Sequence, residues 1–409
     1  MTRLRPRIDA AARRARLGRR HLLAPAHRAA TAEQVTDALL GLHATDAATV
    51  FLSACARLAV PDPGAVERAL YEDVTLVRMQ AMRRTLFAVG TALAPVVGAS
   101  TARAIAAKER RDLTRWVMTE VGWDERRLAE VEERTLAALA ARGEATAATL
   151  AEDVPDLRTT VVVSPGKSYQ ATVAVSSRIL RCLAAEGRIR RSRPRGNWTS
   201  SLFRWAPGTA LTELPDLPPA DAQAELARRW LAAYGPATAA DLKWWTGWTL
   251  TDTRRALATV GAVEVDLAEG AGYALPDDLE PVPAAEPWAA LLPALDPTAM
   301  GWKSRDWYLD PAHAPQLFDR SGNIGPTVWW NGRIIGGWAQ RPDGEIVWRL
   351  LTDGGGTSLP ERSRELGGGE AAAAVAVEAA RLADWVGDVR VTPRFRTPLE
   401  RELTAQRGA

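Results

Sequence analysis

The chain has 409 residues, 47% hydrophobic and 25% charged, which gives core enough for two to four domains and excludes intrinsic disorder. Its 52 basic and 49 acidic residues leave a net charge of only +3, so bulk electrostatics announce no nucleic-acid partner and any basic footprint has to be local. Two distant cysteines, Cys55 and Cys182, and four scattered histidines exclude a disulfide framework and a closed zinc site, and the cysteines read as buried thiols of a reducing cytoplasm.

Residues 1–24 form a basic arm carrying Arg3, Arg5, Arg7, Arg13, Arg14 and Arg16 and ending Arg19-Arg20-His21. It has no apolar signal-peptide core, and the chain has no apolar run of about 18 residues, so a cytoplasmic, nucleoid-associated location and no membrane partner are expected. The arm reads either as a solvated helix or as a contact to a DNA backbone. A helix-entry phrase then occurs three times. Gly143-Glu-Ala-Thr-Ala-Ala-Thr-Leu150 returns as Gly235-Pro-Ala-Thr-Ala-Ala-Asp-Leu242, and His27–Val35 carries the same core. In each copy a Thr (Thr31, Thr146, Thr238) stands where an N-cap hydroxyl satisfies the free amides of a helix start. In the two full copies a helix ends at Gly and turns within a few residues into that cap, the grammar of a helix-turn-helix.

The first unit is expected to hold helices Ala32–Leu40 and Ala47–Leu58 and an Arg-rich β-hairpin over residues 75–89, which contains Arg83 and Arg84. Helices continue through Arg142. The second unit, from about Arg126 to Pro207, ends in a helix, Thr172–Glu186, that feeds a two-stranded hairpin, which makes it a winged helix. This wing is basic: residues 181–204 hold seven Arg against one acid, Glu186. Arginine at that density points to phosphates, with Arg188, Arg190, Arg191, Arg193 and Arg195 as contacts and Trp198 beside them. Pro215, Pro218 and Pro219 form a linker to the third unit, roughly Asp221–Pro276, whose wing, Ala262–Asp266, is acidic and reads as packing. Beyond a Pro-rich joint, Thr327–Trp338 reads as a hairpin on an Asn331-Gly332 turn. Fourteen of the sixteen Trp fall at or after Trp198, which points to an aromatic-rich core. A helix, Glu370–Trp385, and a closing strand, Asp388–Val391, complete the chain. The Gly-rich stretch Asp353–Gly369 is no phosphate loop, because no Gly-Lys-Ser/Thr follows it.

The expected fold is therefore α+β and mostly helical, with three winged helix-turn-helix units and a C-terminal Trp-rich β domain. The expected boundaries are 1–125, 126–214, 215–280 and 281–409. No heptad helix announces a dimer, so a monomer is expected, and no cofactor.

No G-x-S-x-G, H-E-x-x-H or dinucleotide fingerprint occurs. What stands out is Gly41-Leu-His-Ala-Thr-Asp46, a polar trio (His43, Thr45, Asp46) between two apolar helices. One reading is a capped turn, with Thr45 or Asp46 capping the next helix and His43 a satisfied core residue. The other is a reaction centre.

This segment with its continuation to Arg57 resembles the signature of the bacterial three-winged-helix DNA glycosylases, alkylpurine and interstrand-crosslink enzymes of the azinomycin-resistance type. The resemblance extends through Met82–Leu86, Tyr234–Gly247, Leu292–Asp306, Gly325–Val328 and Gly332-Arg333, and covers residues 15 to 398. It implies a monofunctional glycosylase that hydrolyses the N-glycosidic bond of bulky alkylated or crosslinked purines in double-stranded DNA. The family's catalytic motif is Gln-x-Gln or Gln-x-Asp after a Gly/Leu pair. Here His43 and Thr45 occupy those two positions and Asp46 keeps the acidic residue that often follows. A neutral His43, with an ordinary pKa of about 6.5, would accept a proton from the attacking water. Thr45 would hold that water, and Asp46 would place negative charge beside the sugar. The alternative is a winged-helix DNA-binding protein without catalysis, a regulator or a lesion-shielding factor.

Overall fold

The computed structural model describes residues 5–163, 166–167, 170–351, 368–393 and 395–405. The recurring Thr phrase is a set of helix caps. Thr31 accepts from the Gln34 amide while the Gln34 side chain returns to the Thr31 amide. Thr146 accepts from Thr149 N–H, and Thr238 accepts from Asp241 N–H while the Asp241 carboxylate accepts from the Thr238 amide and hydroxyl.

Each capped helix belongs to a group of helices that closes on a small antiparallel sheet. In the first, the helices Ala32–Ala38 and Ala47–Cys55 flank β1 (Leu42–His43), which pairs with β3 (Leu86–Gly90), itself paired with β2 (Leu76–Gln80). In the second, Glu125–Arg142, Ala147–Asp153 and Val175–Ala185 precede β6 (Ile189–Pro194) and β7 (Phe203–Pro207). The last of these helices starts three residues later than expected. Ala171–Ala174 instead forms β5, paired with β4 (Thr160–Val163), because Thr172 and Val173 are β-branched and sit more easily in a ladder. In the third, Pro219–Tyr234, Ala239–Thr246 and Leu250–Thr259 lead into β8 (Val263–Leu267) and β9 (Gly270–Ala274).

The C-terminal part is built on β10 (Ala289–Leu292), β11 (Thr327–Trp330), β12 (Arg333–Gln340) and β13 (Ile346–Leu350), antiparallel in that order. Asn331 and Gly332 both take positive φ, 44° and 82°, and make the expected two-residue turn. The central strands are buried on both faces. Ala289, Leu291, Val328 and Trp330 join a core with Val35, Phe51 and Leu58 of the first helices. Ala290, Leu292 and Trp329 point the other way into a core with Trp230, Tyr234 and Trp245. The strand's two-residue alternation thus clamps the sheet between the first and third helical groups. The second group has its own core around Val131, Leu150, Ile179 and Leu183.

The helix Gly368–Val386 packs on this sheet. The expected strand Asp388–Val391 is not one: the Gln340 side chain receives the Val391 amide and donates to the Val389 carbonyl, which replaces a ladder with side-chain bonds. Within the glycine-rich stretch Asp353–Gly369, residues 353–367 lie outside the described residues, and Gly368 begins the helix.

The basic arm is not a freely solvated helix, because one face of it is packed into the protein. Its helix, Ala10–Arg20, buries Arg13 and Arg16 at 3% and 2% exposure. Arg13 pairs with Glu269, and Arg16 and Arg20 pair with Asp278. Ahead of it, Ile8 N–H donates to the Asp266 carbonyl and Asp266 N–H to the Pro6 carbonyl, so the arm lies along the acidic third hairpin. Among the described residues no helix is long and apolar enough to cross a membrane, and no group of His, Cys, Asp and Glu could hold a metal ion. Cys55 and Cys182 are free and buried.

Candidate nucleic-acid interface

The first and second hairpins face each other across an open cleft of about 630 Å³. Its walls carry Arg78, Gln80 and Arg84 from the first, Arg181 from the helix Val175–Ala185, and Arg190 and Arg191 from β6. Among the described residues no Asp or Glu lines it. Apolar surface is present too, from Leu180, Leu202, Phe203 and Trp205. The positions alternate because strand side chains do: Arg78 and Gln80 on β2, two residues apart, share one face. Arg78 lies over the Tyr71 ring and donates to its hydroxyl at 2.9 Å, Arg191 lies over Phe203, and Arg190 has a buried Nη1 without a hydrogen bond.

The sequence-predicted basic residues divide. Arg84, Arg190 and Arg191 border the cleft. Arg188 is spent on Glu132 and Glu186, and Arg193 on Glu72 at 2.6 Å. Arg195 is exposed in the loop between β6 and β7. Arg83 points away from the cleft, over the indole of Trp244. Trp198 is 7% exposed, stacked on Phe51 with centroids 5.2 Å apart and beside Trp385 at 5.9 Å, so it ties the loop to the first group instead of offering a face to a base. Arg78 and Arg181 were missed; the alternation of the Arg-rich hairpin was a signal for Arg78, whereas Arg181 sits on an amphipathic helix with nothing local to mark it.

The polar trio separates as well. Gly41 enters it at φ 120°, where a Cβ would meet Val89 Cγ1 at 3.0 Å and the Ala88 carbonyl at 3.1 Å, so only Gly fits beside β3. His43 on β1 is 4% exposed against the edge of Phe87, and its Nδ1 is buried with no hydrogen bond. It is therefore not a satisfied core histidine. Burial, followed by the positive charge of Arg83, pulls its pKa down to about 3. Thr45 borders the cleft. Asp46 caps the helix Ala47–Cys55 by accepting from Ala48 N–H at 3.1 Å, and it borders a separate void of about 20 Å³ with Gln340 and Glu400. The three do not share one surface: Thr45 borders the cleft, His43 is buried and is not among the residues that line it, and Asp46, expected beside the sugar, faces the C-terminal sheet.

Behind the trio lies a buried network. Arg57 donates to both oxygens of Asp296, at 2.9 and 2.7 Å, with neither side chain exposed. Ser53 donates to Asp296 at 2.7 Å, and Thr298 bonds Arg57 and His21. It fastens the helix that Asp46 caps to the loop after β10.

The AlkZ-like DNA glycosylase family pattern matches residues 36–385, most of the chain and all of the cleft just described. The chain belongs to that family. Among solved structures, the Streptomyces sahachiroi DNA glycosylase AlkZ is similar, with a TM-score of 0.66 and 23% sequence identity over 91% of this chain and 97% of that one. At that identity the likeness is one of fold. Comparison with curated proteins finds no match. Family membership makes DNA the expected partner and DNA repair the expected context.

Proposed function

We propose that the protein is a DNA glycosylase that hydrolyses the N-glycosidic bond of bulky alkylated or crosslinked purines in duplex DNA, acting as a monomer without a cofactor. The observation that carries this reading is the cleft: five Arg, no acid, apolar wall, and Thr45 of the motif at its edge. Its volume is in the range of ligand sites and leaves room for a large adduct. In this reading residues 1–125, 126–214 and 215–280 each contain a winged helix, the second supplies the basic wing, and 281–409 is the domain that braces them.

The chemistry asks little of an acid. A cationic alkylated purine leaves as a neutral base when its bond to C1′ breaks, and the sugar passes through an oxocarbenium-like state that water captures, releasing a proton. The protein has to exclude bulk solvent and hold that water. A His whose pKa lies near 3 is a weak base, so proton abstraction at an ordinary imidazole pKa is set aside. What remains is a permanently neutral hydrogen-bonding ring, a counterpart of the amide in the family's Gln. Its unpartnered Nδ1 and the Thr45 hydroxyl are the groups assigned to the water. Asp46 holds the turn as a cap.

The test is base release from a duplex carrying a bulky cationic N7-alkylguanine, wild type beside His43→Ala. Release that the variant loses by about 10²-fold or more, with DNA affinity retained, supports the assignment. The 4% exposure of His43 favours a second reading, DNA binding without catalysis. Tight binding with no release from any alkylated duplex would establish that one instead.

A further inference from the structure

The loop joining β2 and β3 holds Arg83 and Arg84 in succession at φ 53° and 59°. Non-glycine residues in this left-handed region are strained and concentrate where function holds them. The two side chains part company there. Arg84 lines the cleft, whereas the Arg83 guanidinium lies 4.2 Å from the centre of the Trp244 ring. From a different part of the chain, Arg305 lies over the same indole at 5.0 Å and over Phe318 at 5.3 Å.

Among the described residues neither guanidinium forms an ion pair with a carboxylate, and Arg83 Nη1 and Arg305 Nε are buried without a hydrogen bond. The other deeply placed arginines behave differently: Arg13, Arg16 and Arg57 each meet an acid. Arg305 also borders an open depression of about 520 Å³ together with Lys303. Of the two acids there, Glu269 is committed to Arg13, which leaves Asp306 against Lys303 and Arg305. Two like charges beside one indole repel, and burial, followed by Arg305, lowers the pKa of Arg83 to about 10, so Arg83 stays cationic at neutral pH. The partner that satisfies both is an anion with several oxygens, and guanidinium groups match phosphate geometry.

We propose that Arg83 and Arg305, with Trp244 between them, form a phosphate site that takes a backbone phosphate of the DNA strand held in the cleft. This rests on the DNA-binding reading above. The strand then straddles the hairpin tip, one phosphate on Arg84 and another on the Arg83–Arg305 side. Since Arg83 is also the charge that acts on His43, the site lies beside the motif, and filling it fixes the nucleotide's place there.

Binding of a short duplex is measured against salt for wild type, Arg305→Met, Arg305→Lys and Arg84→Gln. Met keeps the stem packed on the rings and removes the charge. The expected result is a salt slope lower by about one and roughly tenfold weaker binding for Arg305→Met, with the slope kept by Arg305→Lys. A wild-type slope in Arg305→Met, beside a reduced one in Arg84→Gln, would overturn this site and leave the cleft reading standing. Equal losses in Arg305→Met and Arg305→Lys would mean that Arg305 only packs. Wild-type protein with no salt-dependent affinity would overturn both readings.

Discussion

His43 decides whether a motif without glutamine can work. Its pKa near 3 keeps it neutral at every pH where duplex DNA survives, so it contributes no titration between pH 5 and 9. Single-turnover base release by the wild type is therefore expected to be flat across that range, and a rise centred near 6.5 would show that the imidazole titrates and that the neutral-ring account is wrong. His43→Gln restores the family side chain and is expected to keep activity within tenfold, where His43→Ala loses it. Glu400 behaves in the opposite way. It is 3% exposed, its Oε2 has no hydrogen bond, and burial, helped by the negative charge of Asp46 and opposed by Arg396 and Arg401, raises its pKa to about 7. A carboxyl raised on folding stabilises the native state below its unfolded pKa and loses that contribution as pH climbs through 7. The shift corresponds to on the order of 3 kcal/mol. Unfolding by denaturant at pH 5 and pH 8 should show the wild type losing stability at the higher pH and Glu400→Gln losing much less. Equal losses would remove Glu400 as the cause.

At the scale of elements, the Arg57–Asp296 pair joins a helix of the first group to the loop after β10. Removing one partner of a fully buried pair leaves an uncompensated charge, and Asp296→Ala is expected to cost about 3–5 kcal/mol. Replacing both by apolar residues of similar volume should recover most of that. A thermal melt in which the single and double variants fall equally would show that the pair is not the link. How far the sequence revealed these elements follows from how local their causes are. Thr31, Thr146 and Thr238 cap their helices because a cap is decided within four residues, and Asn331-Gly332 turns because both residues tolerate positive φ. Arg188 and Arg193 looked like Arg190, and Trp198 looked like a stacking platform. Their fates depend on Glu132, Glu72 and Phe51, residues distant in sequence that no local pattern brings near. The motif segment was legible as a segment, but the divergence of Asp46 from Thr45 comes from the cap geometry and the sheet behind it.

For the whole molecule, a net charge of +3 coexists with an arginine-lined cleft because many of the basic residues elsewhere are paired with acids. The N-terminal arm shows this best: Arg13, Arg16 and Arg20 hold Glu269 and Asp278 around the third hairpin, and none of them borders the cleft. Basic residues therefore fall into two classes with opposite signatures. Neutralising Arg16, 2% exposed, leaves Asp278 with Arg20 alone and takes a donor from the Ala12, Asp278 and Glu280 carbonyls, so Arg16→Gln should lower the melting temperature while leaving the salt slope of DNA binding at the wild-type value. Neutralising Arg84 and Arg190 together should do the reverse. Each phosphate contact contributes about 0.9 to the slope, so the double variant should lose nearly two units with little change in melting temperature. The two measurements on two variants separate the charges that fold the protein from those that meet DNA. An Arg16 variant with a reduced slope would return the arm to the DNA surface, and an unchanged slope in the Arg84/Arg190 variant would move the interface out of the cleft.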